Sequence, residues 1–478
     1  MSATSDGPGR GLWDTLAQGV HQASEPKVDL WATLNDRLDF SRQKPRQAQG
    51  IEVVRQAAAG GGEYYILRNP RANTYLKIDP LDYFIWERLD GQYSVRDLAV
   101  AYFAEYRAFP FDRLANLIGQ LRAKKMLAEK QVQIMGKVAG RLQERTLAYK
   151  LQRFADTSMQ KEFPLRNIDR FYGTLYRRLA WLLFTPPALI VGGLLALAGL
   201  ACFVYLLSAG AYPLLQAGDS YGLGLLVLML ANYIMIFFHE SGHALTVKHY
   251  GRSILKGGMM FYYGSPAFFI DTTDIWMAPK SARVATSFAG PAADMLVCGL
   301  FAVAAVLLPA SPLSPFFYKL AAVGYLGVIM NLAPVMELDG YFILMDSLEI
   351  PLLRKKSLAF VWRRLPTKLL AERTAFSREE RIFAIYGILT GAWTTLSVLL
   401  TLYLWPTQVQ ALIRSVASGA DILSAILVGG LVIIAAIPMI FGLAIKTGIL
   451  AGAAGTRIRD AVRRFGAGAA QVSTRRQK

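Results

Sequence analysis

Residues 222–250 read GLGLLVLMLANYIMIFFHESGHALTVKHY. From Gly222 to Phe238 the stretch is apolar almost without interruption, and His239, Glu240 and His243 follow at once. A helix needs about 20 residues to cross a hydrocarbon core of about 30 Å. A run continuing toward Tyr250 is long enough, so it predicts a transmembrane helix with ionisable groups at one end. Five further apolar runs approach or exceed that length: Trp181–Ala209, Val284–Leu308, Phe316–Pro334, Ile382–Leu404 and Ile422–Ile445. All six lie after residue 180. Before it no run is long enough to span. The opening MSATSDGPGR has no apolar core, so no cleaved signal peptide is expected.

Composition agrees with a mainly α polytopic membrane protein of about six transmembrane helices. Of 478 residues, 54% are hydrophobic and only 18% charged, against about 25% charged in soluble domains. Two cysteines, Cys202 and Cys298, both inside apolar runs, exclude a disulfide framework. The 52 Lys+Arg exceed the 34 Asp+Glu, giving a net charge of +18. Basic residues follow the second, fourth and sixth runs: Lys248, Arg252 and Lys256, then Arg354, Lys355, Lys356, Arg363 and Arg364, then Arg457, Arg459, Arg463 and Arg464. The opposite connections are nearly free of them: AGAYPLLQAGDSYG has none and PTQVQALIRSVASGAD has only Arg414. This positive-inside distribution predicts six spans with both termini cytoplasmic. It also accounts for the excess charge through the bilayer, so no nucleic-acid partner is expected.

Ionisable groups in a membrane are costly and mark functional sites. On a helix, residues four apart share a face, so His239 and His243 can bind one zinc through neutral imidazoles. Glu240 lies beside that face. This is the pattern of a metalloprotease, in which the metal lowers the pKa of water and the glutamate takes its proton. The chain has only four histidines. At that scarcity a chance H-E-x-x-H is expected on the order of 10⁻³ times. His249 reads as an interfacial side chain. A catalytic zinc needs a third protein ligand. The segment NLAPVMELDG, residues 331–340, offers Asp339 and Glu337, and spacing alone does not choose between them. Pro334 should break the helix there, and Gly340 permits a turn. Asp294 is one more acid inside an apolar run. The stretch GGMMFYYGSPAFFIDTTDIWMAP, residues 257–279, is too broken to span and predicts a re-entrant hairpin or loop, either an edge strand that holds substrate extended or a structural plug.

The soluble part has its own pattern. Residues 1–50 are polar and expected to be flexible, apart from a short amphipathic helix around Leu12–Val20. EYYILRNPRANTYLKID, residues 63–79, predicts two strands around an N-P-R-A-N turn. A helix should start at Pro80 and end by Gly91. Ser94 is placed to N-cap the next, with Asp97 completing a capping box. A third helix is expected over Phe111–Lys124. These elements describe a small α+β, winged-helix-like domain over 51–130. A charged linker, 131–179, follows and ends in FPLRNIDRFYGTLYRRL, which reads as an interfacial amphipathic segment. The membrane domain then covers 180–450, and a basic cytoplasmic tail 451–478.

HESGH together with N-x-x-P-x-x-x-x-D-G resembles the site-2 protease family of intramembrane zinc metalloproteases. The resemblance implies zinc on His239, His243 and Asp339, with Glu240 as general base and Asn331 engaging substrate or the developing oxyanion. It selects Asp339 over Glu337. FAGPAAD, residues 288–294, resembles the family's third-helix G-P-x-x-N segment, with Asp294 in place of asparagine; Met336 stands where a second proline is frequent. The turn NPRANTY and LDGQYSVRDL, residues 89–98, resemble the PqqD-like peptide-recognition domain, which binds leader peptides. The pairing implies an endopeptidase of a bacterial inner membrane that cleaves a membrane-associated or leader-bearing peptide near the cytoplasmic face, with a membrane-fusion or export protein as partner. The alternative is a non-catalytic component of a peptide export or resistance system that retains the protease scaffold.

Overall fold

A computed structural model describes residues 40–57, 62–128, 160–218, 220–262, 265–369 and 375–417. The chain forms two units, residues 1–132 and 133–478.

In the first unit, β1 (Glu52–Ala57), β2 (Glu63–Asn69) and β3 (Thr74–Ile78) make an antiparallel meander. Asn69 shapes the turn between β2 and β3, its side-chain carbonyl accepting from the Arg71 and Ala72 amides at 3.0 and 3.2 Å. Helix α1 (Pro80–Glu87) starts where Asp79 accepts from the Asp82 amide at 2.7 Å and Pro80 presets φ. Helix α2 (Val95–Tyr106) carries the Ser94/Asp97 capping box in full, and α3 (Phe111–Ala123) follows. Their inner faces bury Leu67, Ile85, Leu89, Leu98, Ile118, Leu121 and Met126 in one core.

Strand β1 is an addition to the predicted elements. The described residues before it are also part of the unit, not a loose leader ending at residue 50. The Gln47 amide donates to the Leu89 carbonyl at 2.9 Å and Ala48 to Met126 at 2.8 Å. Such backbone ties leave no apolar period in the sequence. The Leu12–Val20 helix and the 451–478 tail lie outside the described residues.

The second unit begins with β4 (Gln160–Pro164) and α4 (Ile168–Arg178), followed by α5 (Pro186–Ser208) and α6 (Tyr221–His249). Then come β5 (Gly257–Tyr262), β6 (Ser265–Ile270), α7 (Lys280–Leu307), α8 (Ser314–Leu332), α9 (Asp339–Leu348), α10 (Leu353–Ala359) and α11 (Arg378–Ala417). Among the described residues, four helices are long and apolar enough to cross a membrane: Pro186–Ser208, Gly222–His249, Lys280–Leu307 and Ser314–Leu332. Their outer faces expose Leu189, Leu194, Leu197, Leu326 and Ile329, a surface suited to lipid. Of the other two expected spans, Ile382–Leu404 falls within the 40-residue α11, and Ile422–Ile445 lies outside the described residues. Helix α7 is central, packing against α5, α6, α8 and α9.

The broken stretch 257–279 contains a β-hairpin, with Gly258 opposite Phe269 and Met260 opposite Ala267. The expected linker supplies a third strand, because β4 pairs antiparallel with β5 and the order is β4-β5-β6. Among the described residues that leaves β6 as an edge, where Pro266 costs no ladder hydrogen bond. Strand β6 packs against α6, and Phe268 meets Phe237 edge-on at 5.6 Å.

The chain breaks after Leu332, as Pro334 predicts, and resumes helix at Asp339. Tyr386 of α11 holds the break by donating to the Pro334 carbonyl at 2.7 Å. Gly340 makes no turn. It sits in the first turn of α9, where a Cβ would lie 2.3 Å from the Leu332 carbonyl oxygen. Glycine is needed there because α9 folds back onto the end of α8.

Candidate metal centre

His239 and His243 stand one turn apart near the end of α6, and their Nε2 atoms are 3.1 Å from each other. Asp339, the first residue of α9, brings its carboxylate to the same point: Oδ2 is 3.0 Å from His239 Nε2 and Oδ1 is 3.4 Å from His243 Nε2. One ligand atom from each of the three residues lies within 4.8 Å of the others. Glu337 is elsewhere, largely exposed and 3.8 Å from Arg354. His249 is also elsewhere: its Nδ1 is 2.8 Å from the Tyr176 hydroxyl and its ring stacks on Phe184 at 4.4 Å.

The outer side of each imidazole fixes what the inner side offers. His243 Nδ1 is 2.7 Å from the Thr286 carbonyl oxygen. A carbonyl only accepts, so this nitrogen carries the proton and Nε2 presents a lone pair. His239 Nδ1 is 2.7 Å from Asp294 Oδ2 and is set the same way. Two lone pairs and a carboxylate then face one point in a half-buried site, an arrangement that calls for a cation. Space has been kept for it. A Cβ on Gly290 of α7 would lie 2.4 Å from His243 Nε2 and 2.6 Å from His239 Nε2. The residues therefore fit a metal ion, with the orienting outer partners usual for ligating histidines.

Asp294 thus has a place that sequence reasoning missed. Its signal was an acid in an apolar run, but its partner is 55 residues away on another helix. Its second oxygen, Oδ1, is buried with no hydrogen-bond partner among the described residues. Helix α9 is held to α7 through Arg283 Nε to Asp346 Oδ1 at 3.0 Å and Lys280 Nζ to the Ser347 carbonyl at 2.8 Å. The carboxylate of one helix is thereby set against the imidazoles of another through the helix between them.

Glu240, next to His239, is half-buried, and the Ile270 amide at the end of β6 donates to its carboxylate. The neighbouring Ser241 hydroxyl donates to the Phe237 carbonyl at 2.7 Å and pairs with the Tyr172 hydroxyl of α4 at 2.9 Å. Asn331 lies in the last turn of α8 and makes no hydrogen bond to the cluster among the described residues. No protein-family model, curated protein or solved structure matches this chain.

Proposed function

We propose that the protein is an intramembrane zinc endopeptidase of the site-2 protease type, hydrolysing a peptide bond in a membrane-associated or leader-bearing substrate near the cytoplasmic face. The observation that supports this most is the pair of outward-donating imidazoles whose inner nitrogens meet Asp339, with the Glu240 carboxylate, held by the Ile270 amide, one residue along. His239, His243 and Asp339 are the residues that would hold zinc. Zinc supplies Lewis acidity there, polarising a carbonyl and lowering the pKa of water. Glu240 accepts the proton from the attacking water and returns it to the leaving amine. Asn331 donates to the substrate carbonyl oxygen as it gains charge.

A helical substrate hides its amides, so it must be unwound before attack. Strand β6 supplies a template, since its unpaired edge can take an extended peptide as an added strand beside Glu240. The first unit serves as a PqqD-like reader of the leader, and an export or membrane-fusion protein receives the product. The setting is a bacterial inner membrane, crossed six times with both termini cytoplasmic.

Glu240→Gln tests the reading, by comparing peptides and bound metal in membranes of cells carrying either form. The variant should keep its metal and accumulate an uncut precursor that wild type processes. Identical peptide profiles with metal retained would remove the enzyme and leave a scaffold of an export or resistance system.

A further inference from the structure

Helix α4 precedes the first span and is held to α6 by one face only. Tyr172 is buried against Ala244 and Val247, and Asp169 accepts from Lys248 Nζ and from the Ile254 amide, the latter at 2.7 Å. Beside that face, two adjacent stripes run along the helix at four-residue spacing, Leu175 at the border also packing against the buried cluster at α6. One is Arg170, Thr174 and Arg178; the other is Phe171, Leu175 and Leu179. With Arg166 they line an open surface groove of about 630 Å³. Arg166, Arg170 and Arg178 are exposed and pair with no carboxylate among the described residues. The nearby acids are taken, Asp169 by Lys248 and Glu162 by Lys256 at 2.6 Å. Phe171 and Leu179 are more than half exposed, and the exposed Trp181, Leu182 and Leu183 continue the apolar stripe toward α5.

We propose that this groove is a binding site for one anionic phospholipid of the surrounding bilayer. Its phosphate lies among Arg166, Arg170 and Arg178, and an acyl chain lies along Phe171, Leu175 and Leu179. Charge complementarity selects the head group, since three unpaired guanidiniums favour phosphate. The parallel apolar stripe selects a lipid over a soluble anion. The inference needs α4 at a membrane surface and does not depend on catalysis.

Native mass spectrometry of the full chain, purified in detergent and offered phosphatidylglycerol or phosphatidylcholine, tests it. Wild type should retain phosphatidylglycerol in preference. Arg166→Gln, Arg170→Gln and Arg178→Gln should each cut that preference roughly fivefold, the equivalent of about 1 kcal/mol per basic group near a membrane surface. Arg363→Gln with Arg364→Gln, an exposed basic pair outside the groove, should leave it unchanged. Phe171→Ala with Leu179→Ala should lower retention of phosphatidylglycerol. A triple arginine variant with unaltered preference would overturn the proposal. So would displacement of phosphatidylglycerol by inorganic phosphate at millimolar concentration, which would assign the groove to a soluble anion.

Discussion

The tautomer of each imidazole is settled by one neighbour, and this makes Asp294 the most informative side chain to alter. It touches no metal position and orients His239 by a 2.7 Å hydrogen bond. Asp294→Ala removes that acceptor, and metal affinity should fall about 10- to 100-fold, as for other outer-shell partners. Asp294→Asn keeps a carbonyl acceptor without the charge and should lose less. Competition against a chromogenic zinc chelator measures both; equal affinity for wild type and alanine variant would show that the contact orients nothing. Gly290→Ala is the steric counterpart. Its methyl would lie 2.4 Å from His243 Nε2, so zinc content per chain should drop to near zero while the variant still inserts in the membrane. The motif residues were legible because metal chemistry restricts both residue type and spacing. Asp294 was not, since no spacing rule relates position 239 to position 294.

Elements with a strong local signal were legible in the same way, and those built from backbone pairing were not. In α2 the Ser94 hydroxyl accepts from the Asp97 amide at 3.2 Å, while the Asp97 carboxylate accepts from the Ser94 amide at 2.9 Å and from the Ser94 hydroxyl at 2.7 Å. These bonds, led by that from the hydroxyl, hold the Asp97 carboxyl below its ordinary value. A lowered carboxyl pKa contributes stability above the unfolded-state value and loses it as pH falls through the folded-state one. Protection of the first turn of α2 against amide exchange should therefore be full at pH 7 and decline in acid beyond the intrinsic change in exchange rate. Ser94→Ala removes the hydroxyl but keeps the amide that also donates to Asp97, so it should shrink that acid-dependent decline without abolishing it, and weaken the helix start by about 1 kcal/mol at neutral pH. An unchanged protection profile would mean that the cap is not what starts the helix. By contrast, β4 reads QKEFP and β1 reads EVVRQA. Neither alternates cleanly, because each is held through main-chain pairing with a neighbour, β4 by β5 and β1 by β2. A pattern of side chains carries no record of such pairing. The hairpin at 257–270 was legible only as something too interrupted to be a helix.

Across the whole second unit, three separate elements must agree before the cluster exists: α6 brings imidazoles, α9 brings the carboxylate, and α7 holds both by the Thr286 carbonyl, Asp294 and the Arg283–Asp346 pair. An ion bound there ties α6 to α9 only in the folded state, so it stabilises the fold in proportion to its saturation. At a free metal concentration 100 times the dissociation constant the gain is about 2.7 kcal/mol. Removing the ion with a strong chelator should lower the unfolding midpoint of the full chain by at least a few degrees, and returning zinc should restore it. His239→Ala and Asp339→Ala should start at the lowered midpoint and respond to neither treatment. The comparison separates a bound ion from a general effect of the chelator, since only an ion held at this cluster makes wild type sensitive and both variants indifferent. If wild type loses its metal, as judged by elemental analysis, and keeps its midpoint, then the three helices are fixed by their own packing and the convergence of His239, His243 and Asp339 owes nothing to an ion.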